Sequence, residues 1–135
     1  MIVEINQRSD VPIYEQLHRQ VIAAIANDEL APGDQLPSVR SLAVDLGINL
    51  HTVNKAYALL RDEGYIVMRR GSGALVADRA DGADEAHLMI ETQNRQMDDD
   101  LYRLALAYKA RGGDLASFSA AAERQGRRAW RGFNS

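Results

Sequence analysis

Apolar residues in the first part of the chain recur at helical spacing. After a short strand-like run at residues 2–5, Asp10 and Pro12 mark the expected start of a helix, because an acid can cap a first turn and proline suits one. The helix is predicted to run up to Asn27, and the turn-forming residues 31–34 follow. Its apolar face is formed by Tyr14, Leu17, Val21, Ala24 and Ile25.

Two further helices are predicted in quick succession. Ser38 is a good N-cap for a short helix that ends at Gly47. Asn49 can cap a third helix, which runs through Glu63. Because only Ile48 separates Gly47 from Asn49, the two helices are expected to cross at a steep angle, as in a helix-turn-helix. The apolar positions of the third helix are Val53, Ala56, Tyr57 and Leu60.

A β-hairpin is predicted directly after the third helix. Residues 65–69 and 74–77 have the composition of strands, and the glycine-rich residues 70–73 lie between them as the tip. Three helices followed by a hairpin make a winged helix-turn-helix. The sequence therefore predicts an α+β fold that is mainly α, with a winged-helix domain over residues 1–78.

The rest of the chain predicts two more helices behind a linker. Residues 79–84 are polar and contain glycine, which is typical of a domain boundary. A long helical pattern then extends over about residues 85–111, and a pair of glycines interrupts it before Asp114, which can cap a last helix. We expect residues 85–135 to form a small two-helix dimerisation domain. Two helices are too few to enclose a typical ligand pocket within one subunit, which leaves a dimer interface as the alternative place for one, so the small-molecule effector stays unknown.

Composition excludes several classes of protein. The 135 residues are 46% apolar and 26% charged, which is ordinary for a globular protein, and no apolar run is long enough to span a membrane. No cysteine is present, so disulfides, thiolate zinc sites and a cysteine nucleophile are excluded, and the cytoplasm is the expected compartment. No known catalytic motif occurs, so neither an enzyme nor a cofactor is expected.

The distribution of charge decides whether nucleic acid is a plausible partner. The net charge of −3 weighs against it unless cations are concentrated locally. Between residues 40 and 73, five basic and three acidic side chains give a local charge of +2. The start of the third helix is polar and free of acids, as suits a helix that reads base edges in DNA. Its candidate residues are Asn49, Leu50, His51, Thr52, Asn54 and Lys55.

The motifs of this region resemble a known family in their order and spacing. P-I-Y-E-Q-L lies in the first helix, L-A-P-G-D-Q-L-P-S-V-R-S-L-A leads into the second, and T-V-N-K-A-Y and L-R-D-E-G-Y-I follow. With R-R-G-S-G-A-L-V-A in the hairpin, they resemble the DNA-binding domain of GntR-family transcriptional regulators over about residues 9–78. The short helical tail resembles that of the YtrA-type subfamily. The resemblance implies a dimeric bacterial repressor, often of a transporter-type operon and its own promoter.

The resemblance also implies which residues contact DNA. They lie on the second helix, at the start of the third and at the hairpin tip, here called the wing: Arg40, Asn49, Leu50, His51, Thr52, Asn54, Arg70 and Gly71. Lys55 and Arg69 join this set as neighbouring cations. Asn54 suits bidentate pairing with adenine, whereas Asn49 and Thr52 suit phosphate at a helix N-terminus.

One departure from the family pattern affects specificity. Many relatives carry a basic residue or proline at the position of Leu50, and here His51 follows it. Leucine cannot donate a hydrogen bond to guanine, although it can touch the methyl group of thymine. The operator sequence of relatives is therefore not expected to apply to this chain.

A dimer interface is predicted on the first tail helix. One winged helix makes few base contacts, so useful selectivity normally requires two half-sites read by a dimer. The helix has an apolar stripe that is larger than the short last helix can cover: Ile90, Met97, Leu101, Leu104 and Tyr108. We therefore expect a homodimer on a double-stranded DNA operator with two half-sites. The alternative is a monomer whose tail packs on its own winged helix.

For several residues a structural interpretation competes with the functional one. Arg40 could pair with an acid, and His51 or the wing arginines could simply be solvated. His18 and His87 have no partner at ligand spacing, and Asp98–Asp100 point in divergent directions on a helix, so no metal site is expected. For the whole protein, the alternative is a winged helix used in protein–protein assembly, which would favour apolar or acidic residues on the exposed face of the third helix.

Overall fold

The computed structural model describes residues 2–78 and 83–131, and within residues 83–90 it describes the backbone only. The chain divides into two compact units, Met1–Arg79 and Ala80–Ser135. The elements of the first unit are α1 (Ile13–Ala26), α2 (Val39–Leu46), α3 (Leu50–Asp62), β1 (Ile66–Arg69) and β2 (Gly73–Val76). Those of the second are α4 (Ala83–Ala110) and α5 (Leu115–Arg131). The predicted mainly helical α+β fold with an N-terminal winged helix-turn-helix is confirmed. Residues 79–82 of the predicted linker at residues 79–84 lie outside the described residues, whereas Ala83 and Asp84 already belong to α4, which begins two residues earlier than predicted.

The N-terminal segment is held to α1 by two glutamine side chains. The Gln16 amide accepts from the Asn6 N–H and donates to the Asn6 carbonyl, both at 2.9 Å. The Gln20 amide pairs with the backbone of Glu4 in the same way. The run at residues 2–5 is therefore not a strand, because the backbone of Glu4 pairs with a side chain of α1 and not with another strand.

The start of α1 differs from the sequence prediction. Pro12 is the N-cap residue, and Asp10, two residues earlier, makes no capping hydrogen bond. Gln16 Nε2 instead donates to the Val11 carbonyl at 2.8 Å, which fixes the backbone where it enters the helix. The proline ring holds φ at −54°, so the first turn is set without a capping carboxylate.

The helix-turn-helix forms as its capping residues predict. Ser38 Oγ accepts from the Ser41 N–H at 3.0 Å at the start of α2. Asn49 Oδ1 accepts from the His51 N–H at 2.8 Å at the start of α3. Gly47 ends α2 with φ +64°, in the left-handed region where glycine is unstrained. These three local devices confirm the short turn between α2 and α3.

The hairpin is broader than the sequence suggested. β1 and β2 pair antiparallel over their whole length, and a third short segment, residues 34–36, lies along the other edge of β2 with Gln35 opposite Leu75. Three backbone hydrogen bonds hold this segment and the preceding Gly33 on β2. Leu36 N–H donates to the Ala74 carbonyl at 2.8 Å, Val76 N–H donates to the Asp34 carbonyl at 2.9 Å, and Gly33 N–H donates to the Val76 carbonyl at 2.9 Å. The stretch is too short to show strand alternation, so the sequence indicated only a turn.

The core of the first unit is built from all three of its helices and the hairpin. Its most completely buried large side chains are Leu17, Val21, Val53, Leu60 and Ile66. Each fully buried aliphatic side chain stabilises the fold by about 1.5–3 kcal/mol, so the apolar face of α3 fixes this helix in place. Tyr57 lies in the same core, where its hydroxyl donates to the Pro37 carbonyl at 2.7 Å. Burial raises the pKa of Tyr57 to about 12.

The second unit is a helical hairpin closed by aromatic and glycine residues. The rings of Tyr108 on α4 and Phe118 on α5 lie 6.4 Å apart. Gly113 packs on the Tyr108 ring so closely that a β-carbon there would lie 2.3 Å from it. Asp114 caps α5 as predicted, accepting from the Ser117 N–H at 3.1 Å, and its hydrogen bonds with Ser117 lower its pKa.

Candidate nucleic-acid interface

The two sides of α3 differ in burial and in chemistry. Its apolar side packs into the core, whereas His51, Asn54 and Lys55 are exposed along the first two turns. Ala58 continues this row with a small, half-buried side chain. Spacings of three, four and seven residues bring these side chains onto one face of the helix. We call His51, Asn54 and Lys55 the exposed row.

The residues at the start of α3 differ in exposure and in the groups that they can offer to a ligand. Asn49 uses its side-chain oxygen to cap the helix, so its amide NH₂ is the group that can donate to a ligand. That geometry suits a phosphate at the helix N-terminus better than a base edge. Thr52 is half-buried, whereas Leu50 is 40% exposed beside the exposed row.

Lys55 is held by an aromatic ring of α1. Its ammonium lies 3.9 Å from the centroid of the Tyr14 ring, which is a cation–π contact. The contact steadies the long side chain and leaves its charge at the surface. The sequence placed Tyr14 only on the apolar face of α1, because the pairing depends on how α1 and α3 pack together.

Three arginines outside α3 are also available to an anion. Arg40 in the first turn of α2 is exposed, as are Arg69 and Arg70 at the wing. None of them forms an ion pair with an acid in the part of the chain that the structure describes. Their charge is therefore not neutralised by a neighbouring acid of the same unit.

The wing tip has a defined backbone. Gly71 and Gly73 have φ of +85° and +73°, which other residues adopt only with strain. Gln35, which precedes α2, donates from Nε2 to the Ser72 carbonyl at 2.8 Å. Arg69 and Arg70 are thus presented on a braced hairpin. Sequence reasoning missed Gln35, since no local pattern links it to a tip 37 residues away.

The acids of α3 are paired at its C-terminal end. Asp62 lies 3.4 Å from Arg61, and Glu63 contacts His18 of α1. His18 is therefore not the isolated surface histidine that the sequence suggested, because the packing of α1 on α3 brings Glu63 to it. The exposed surface of the N-terminal half of α3 therefore carries no acid, and Leu50 is its one apolar side chain.

The predicted dimer residues are exposed on α4. Met97 and Leu104 are 53% and 62% exposed, and Leu101 and Tyr108 are 39% and 40% exposed. The side chain of Ile90 is not among those that the structure describes. No side chain of residues 91–131 is fully buried, so this part of the helical hairpin has no core of its own.

Other large apolar side chains of the tail are also in contact with solvent. They do not belong to the predicted stripe and are Tyr102, Leu106, Leu115 and Trp130. The two on α4 lie at a different angle of the helix from the stripe, and the other two lie on α5. A search for a single stripe therefore could not find them.

Two further properties concern the described residues only. No helix among them is long and apolar enough to cross a membrane. Their histidine, aspartate and glutamate side chains form no group that could hold a metal ion. His87, the remaining isolated histidine of the sequence, lies outside the described side chains.

The fold and the exposed groups define a class of protein. These features are typical of a winged helix-turn-helix DNA-binding protein. The exposed row carries no acid, the arginines form no ion pair among the described residues, and the wing is braced. The family model "Bacterial regulatory proteins, gntR family" matches residues 13–76. The chain belongs to this GntR family, whose members are DNA-binding transcription regulators and not enzymes.

Particular relatives show how far the similarity extends. The chain is 42% identical over 79 residues to the transcriptional repressor YtrA of Bacillus subtilis (strain 168), covering 58% of this chain and 61% of that protein. It therefore spans about three fifths of this curated relative. YtrA from Sulfolobus acidocaldarius, a GntR-family transcription factor of known structure, is 34% identical with TM-score 0.62, covering 90% of this chain and 97% of that one. A transcriptional antiterminator from Listeria monocytogenes EGD-e is 25% identical with TM-score 0.73, covering 96% and 92%.

Proposed function

We propose that the protein is a homodimeric, sequence-specific DNA-binding repressor. The observation that carries the proposal is the exposed row of α3, where His51, Asn54 and Lys55 offer hydrogen-bonding groups and a cation but no acid. A helix of this kind suits the major groove, where base edges present donors and acceptors in a sequence-specific pattern. Base recognition is therefore assigned to α3.

The individual contacts follow from the chemistry of each group. Asn54 suits adenine, to which its amide can both donate and accept. Asn49, Thr52 and Arg40 are assigned to phosphates, because they lie at helix N-termini or carry an unpaired guanidinium. At the wing, the cations Arg69 and Arg70 and the backbone at Gly71 are assigned to the DNA backbone or the minor groove.

The acidic total charge is compatible with this assignment. Binding affinity comes largely from the cations that replace counterions at phosphates, and this is a local property of the contact surface. Lys55, Arg40, Arg69 and Arg70 are exposed, and the acids at the end of α3 are paired with Arg61 and His18. The charge of −3 for the whole chain therefore does not describe the surface that meets DNA.

The helical tail supports the proposed homodimer. Residues 91–131 bury no side chain fully, yet expose large apolar residues on both helices. A helical hairpin without a core gains stability when a second copy covers its apolar faces, and a two-fold interface would also set two winged helices at fixed spacing. We therefore assign the helical hairpin that begins with α4 to dimerisation and residues 1–78 to DNA binding, joined by residues 79–82.

Repression and its targets are inferred by similarity. A similar protein in Bacillus subtilis is named a transcriptional repressor, and the family resemblance implies a transporter-type operon and the protein's own promoter as targets. A repressor acts where the chromosome is, so the protein is placed in the cytoplasm. The proposed partners are thus a second copy and an operator with two half-sites.

The competing function is a winged helix used only for protein assembly. It would favour an apolar or acidic surface on α3, and among the exposed residues at the start of the helix only Leu50 is apolar. The exposed row and the unpaired arginines argue against it, because a protein partner would have to be strongly acidic to match them.

A mobility-shift assay on the DNA upstream of the protein's own gene tests the proposal. The wild type should retard this fragment in the presence of excess random duplex, and a His51→Ala/Asn54→Ala variant should lose that preference. A matched control, Arg8→Ala, changes an exposed residue of the N-terminal segment and should behave as the wild type. Retardation that random duplex removes completely would contradict sequence-specific binding to this DNA.

A further inference from the structure

An exposed leucine lies among the polar residues at the start of the recognition helix. Leu50 is 40% exposed, whereas Leu17, Leu42 and Leu60 of the same unit are buried. It is the first residue of α3, directly after the capping Asn49. What distinguishes it from other exposed apolar side chains is its place, because it lies beside His51 and Asn54 on the surface that α3 would present to DNA.

The chemistry of the major groove limits what this leucine can recognise. Leucine has neither donor nor acceptor, so it cannot pair with the polar edges of guanine, adenine or cytosine. Thymine alone among the four bases presents a methyl group in the major groove. We propose, on the basis of the DNA-binding function proposed above, that Leu50 reads this 5-methyl group and that each operator half-site carries a thymine at one defined position.

The position of this thymine is linked to the base that Asn54 reads. Leu50 and Asn54 are four residues apart on one side of α3, which corresponds to about 6 Å along the helix axis. Stacked base pairs are about 3.4 Å apart. The two side chains can therefore address base pairs no more than about two steps apart, so the thymine lies close to the adenine assigned to Asn54.

The expected change in affinity is modest and depends on the 5-methyl group of thymine alone. Burial of a single methyl group changes affinity by about fourfold. A symmetric operator contains the contact twice, so loss of both methyl groups should weaken binding by about 16-fold. Such a contact adjusts selectivity without altering the salt dependence of binding, because no charge is involved.

The test removes the methyl group from the DNA rather than the side chain from the protein. An operator is first selected from random duplex DNA with the wild-type protein, and each thymine is then replaced singly by deoxyuridine, which keeps every hydrogen-bonding group. Affinities are measured for the wild type, for Leu50→Ala, and for Ile2→Ala as a matched truncation of an exposed apolar residue outside the helix-turn-helix.

The proposal predicts one sensitive thymine per half-site. Deoxyuridine there should weaken the wild type and Ile2→Ala about fourfold and leave the affinity of Leu50→Ala unchanged. If no thymine behaves in this way, or if Leu50→Ala loses as much as the wild type, Leu50 does not read the methyl group, although sequence-specific binding stands. If selection with the wild type enriches no sequence, the DNA-binding proposal fails and this inference fails with it.

Discussion

The ammonium group of Lys55 lies 3.9 Å from the centre of the Tyr14 ring, so a residue of α1 positions a cation of α3. Because the Tyr14 ring is uncharged, the contact does not neutralise Lys55 as an ion pair would. It limits the arrangements of a long, flexible side chain before DNA arrives, which reduces the entropy lost on binding.

Replacing Tyr14 should therefore weaken DNA binding without removing a charge. Tyr14→Leu should lower operator affinity by about two- to fivefold, the equivalent of an exposed cation–π contact of about 0.5–1 kcal/mol. The salt dependence of binding should not change, whereas Lys55→Ala should make it less steep. Tyr14→Phe keeps the ring and is the matched control. A Tyr14→Leu protein that binds like the wild type would show that the ring does not assist binding.

Arg70 at the wing is expected to contribute affinity rather than specificity. Arg70→Ala should weaken binding to operator and to random DNA about equally, and should lower the slope of log affinity against log salt by about one per subunit. Titrations at four or more salt concentrations measure this slope, with Arg8→Ala as an exposed arginine control. An unchanged affinity and slope would exclude a phosphate contact. A loss concentrated on A·T-rich flanks would place Arg70 in the minor groove.

The hydroxyl of Tyr57 should make stability depend on pH above 10. Burial raises the pKa of Tyr57 from 10.0 to about 12, so above pH 10 the unfolded chain loses this proton before the folded chain does. The free energy of unfolding should therefore fall between pH 10 and pH 12, by up to about 3 kcal/mol from this residue. Urea denaturation followed by circular dichroism measures it.

The matched variant for this prediction is Tyr57→Phe. It removes the hydrogen bond to the Pro37 carbonyl, which should cost about 1 kcal/mol at neutral pH. Its unfolding free energy should also fall less than that of the wild type between pH 10 and pH 12. Parallel curves for the two proteins over that range would show that Tyr57 ionises alike in the folded and unfolded states.

A charge on the apolar stripe of α4 should separate the proposed dimer. Leu101 is 39% exposed in the single chain, and a leucine fully buried by a partner contributes about 1.5–3 kcal/mol, twice in a symmetric interface. Leu101→Asp should raise the dimer dissociation constant at least about a hundredfold and remove tight operator binding. Circular dichroism should still show the helices of the winged-helix unit.

Sedimentation velocity at micromolar concentration measures the oligomeric state. Arg95→Asp changes the charge at an exposed position on another side of α4 and should leave the dimer intact. A wild type that sediments as a 14.9 kDa monomer, with one protein bound per half-site, would contradict the proposed dimer.

Local chemistry accounts for the parts of the fold that the sequence predicted correctly. Ser38, Gly47 and Asn49 each act within a few residues of their own position, as caps or as the end of a helix. The same holds for Asp114 in the tail. The prediction that Asp10 caps α1 was wrong. Pro12, two residues later, fixes the start of the helix with its ring, and Gln16 from the next turn holds the Val11 carbonyl.

The features that the sequence did not predict depend on contacts between distant segments. Gln35 reaches the wing tip, Tyr14 reaches Lys55, and Glu63 reaches His18 only after α1, α3 and the hairpin have packed. Pattern and propensity describe single elements, so they predict which residues are candidates for DNA contact but not which neighbours hold those residues in place.

The central claim is that the exposed row of α3 reads a DNA sequence. The most direct test is the ratio of affinities for a selected operator and for a shuffled duplex of the same composition, measured by fluorescence anisotropy at physiological salt. The wild type should prefer the operator by at least about a thousandfold. His51→Ala and Asn54→Ala should each lose about 1–3 kcal/mol per base contact on the operator while binding the shuffled duplex almost as before. Equal affinities of the wild type for the two duplexes, or equal losses of the variants on both, would contradict the account.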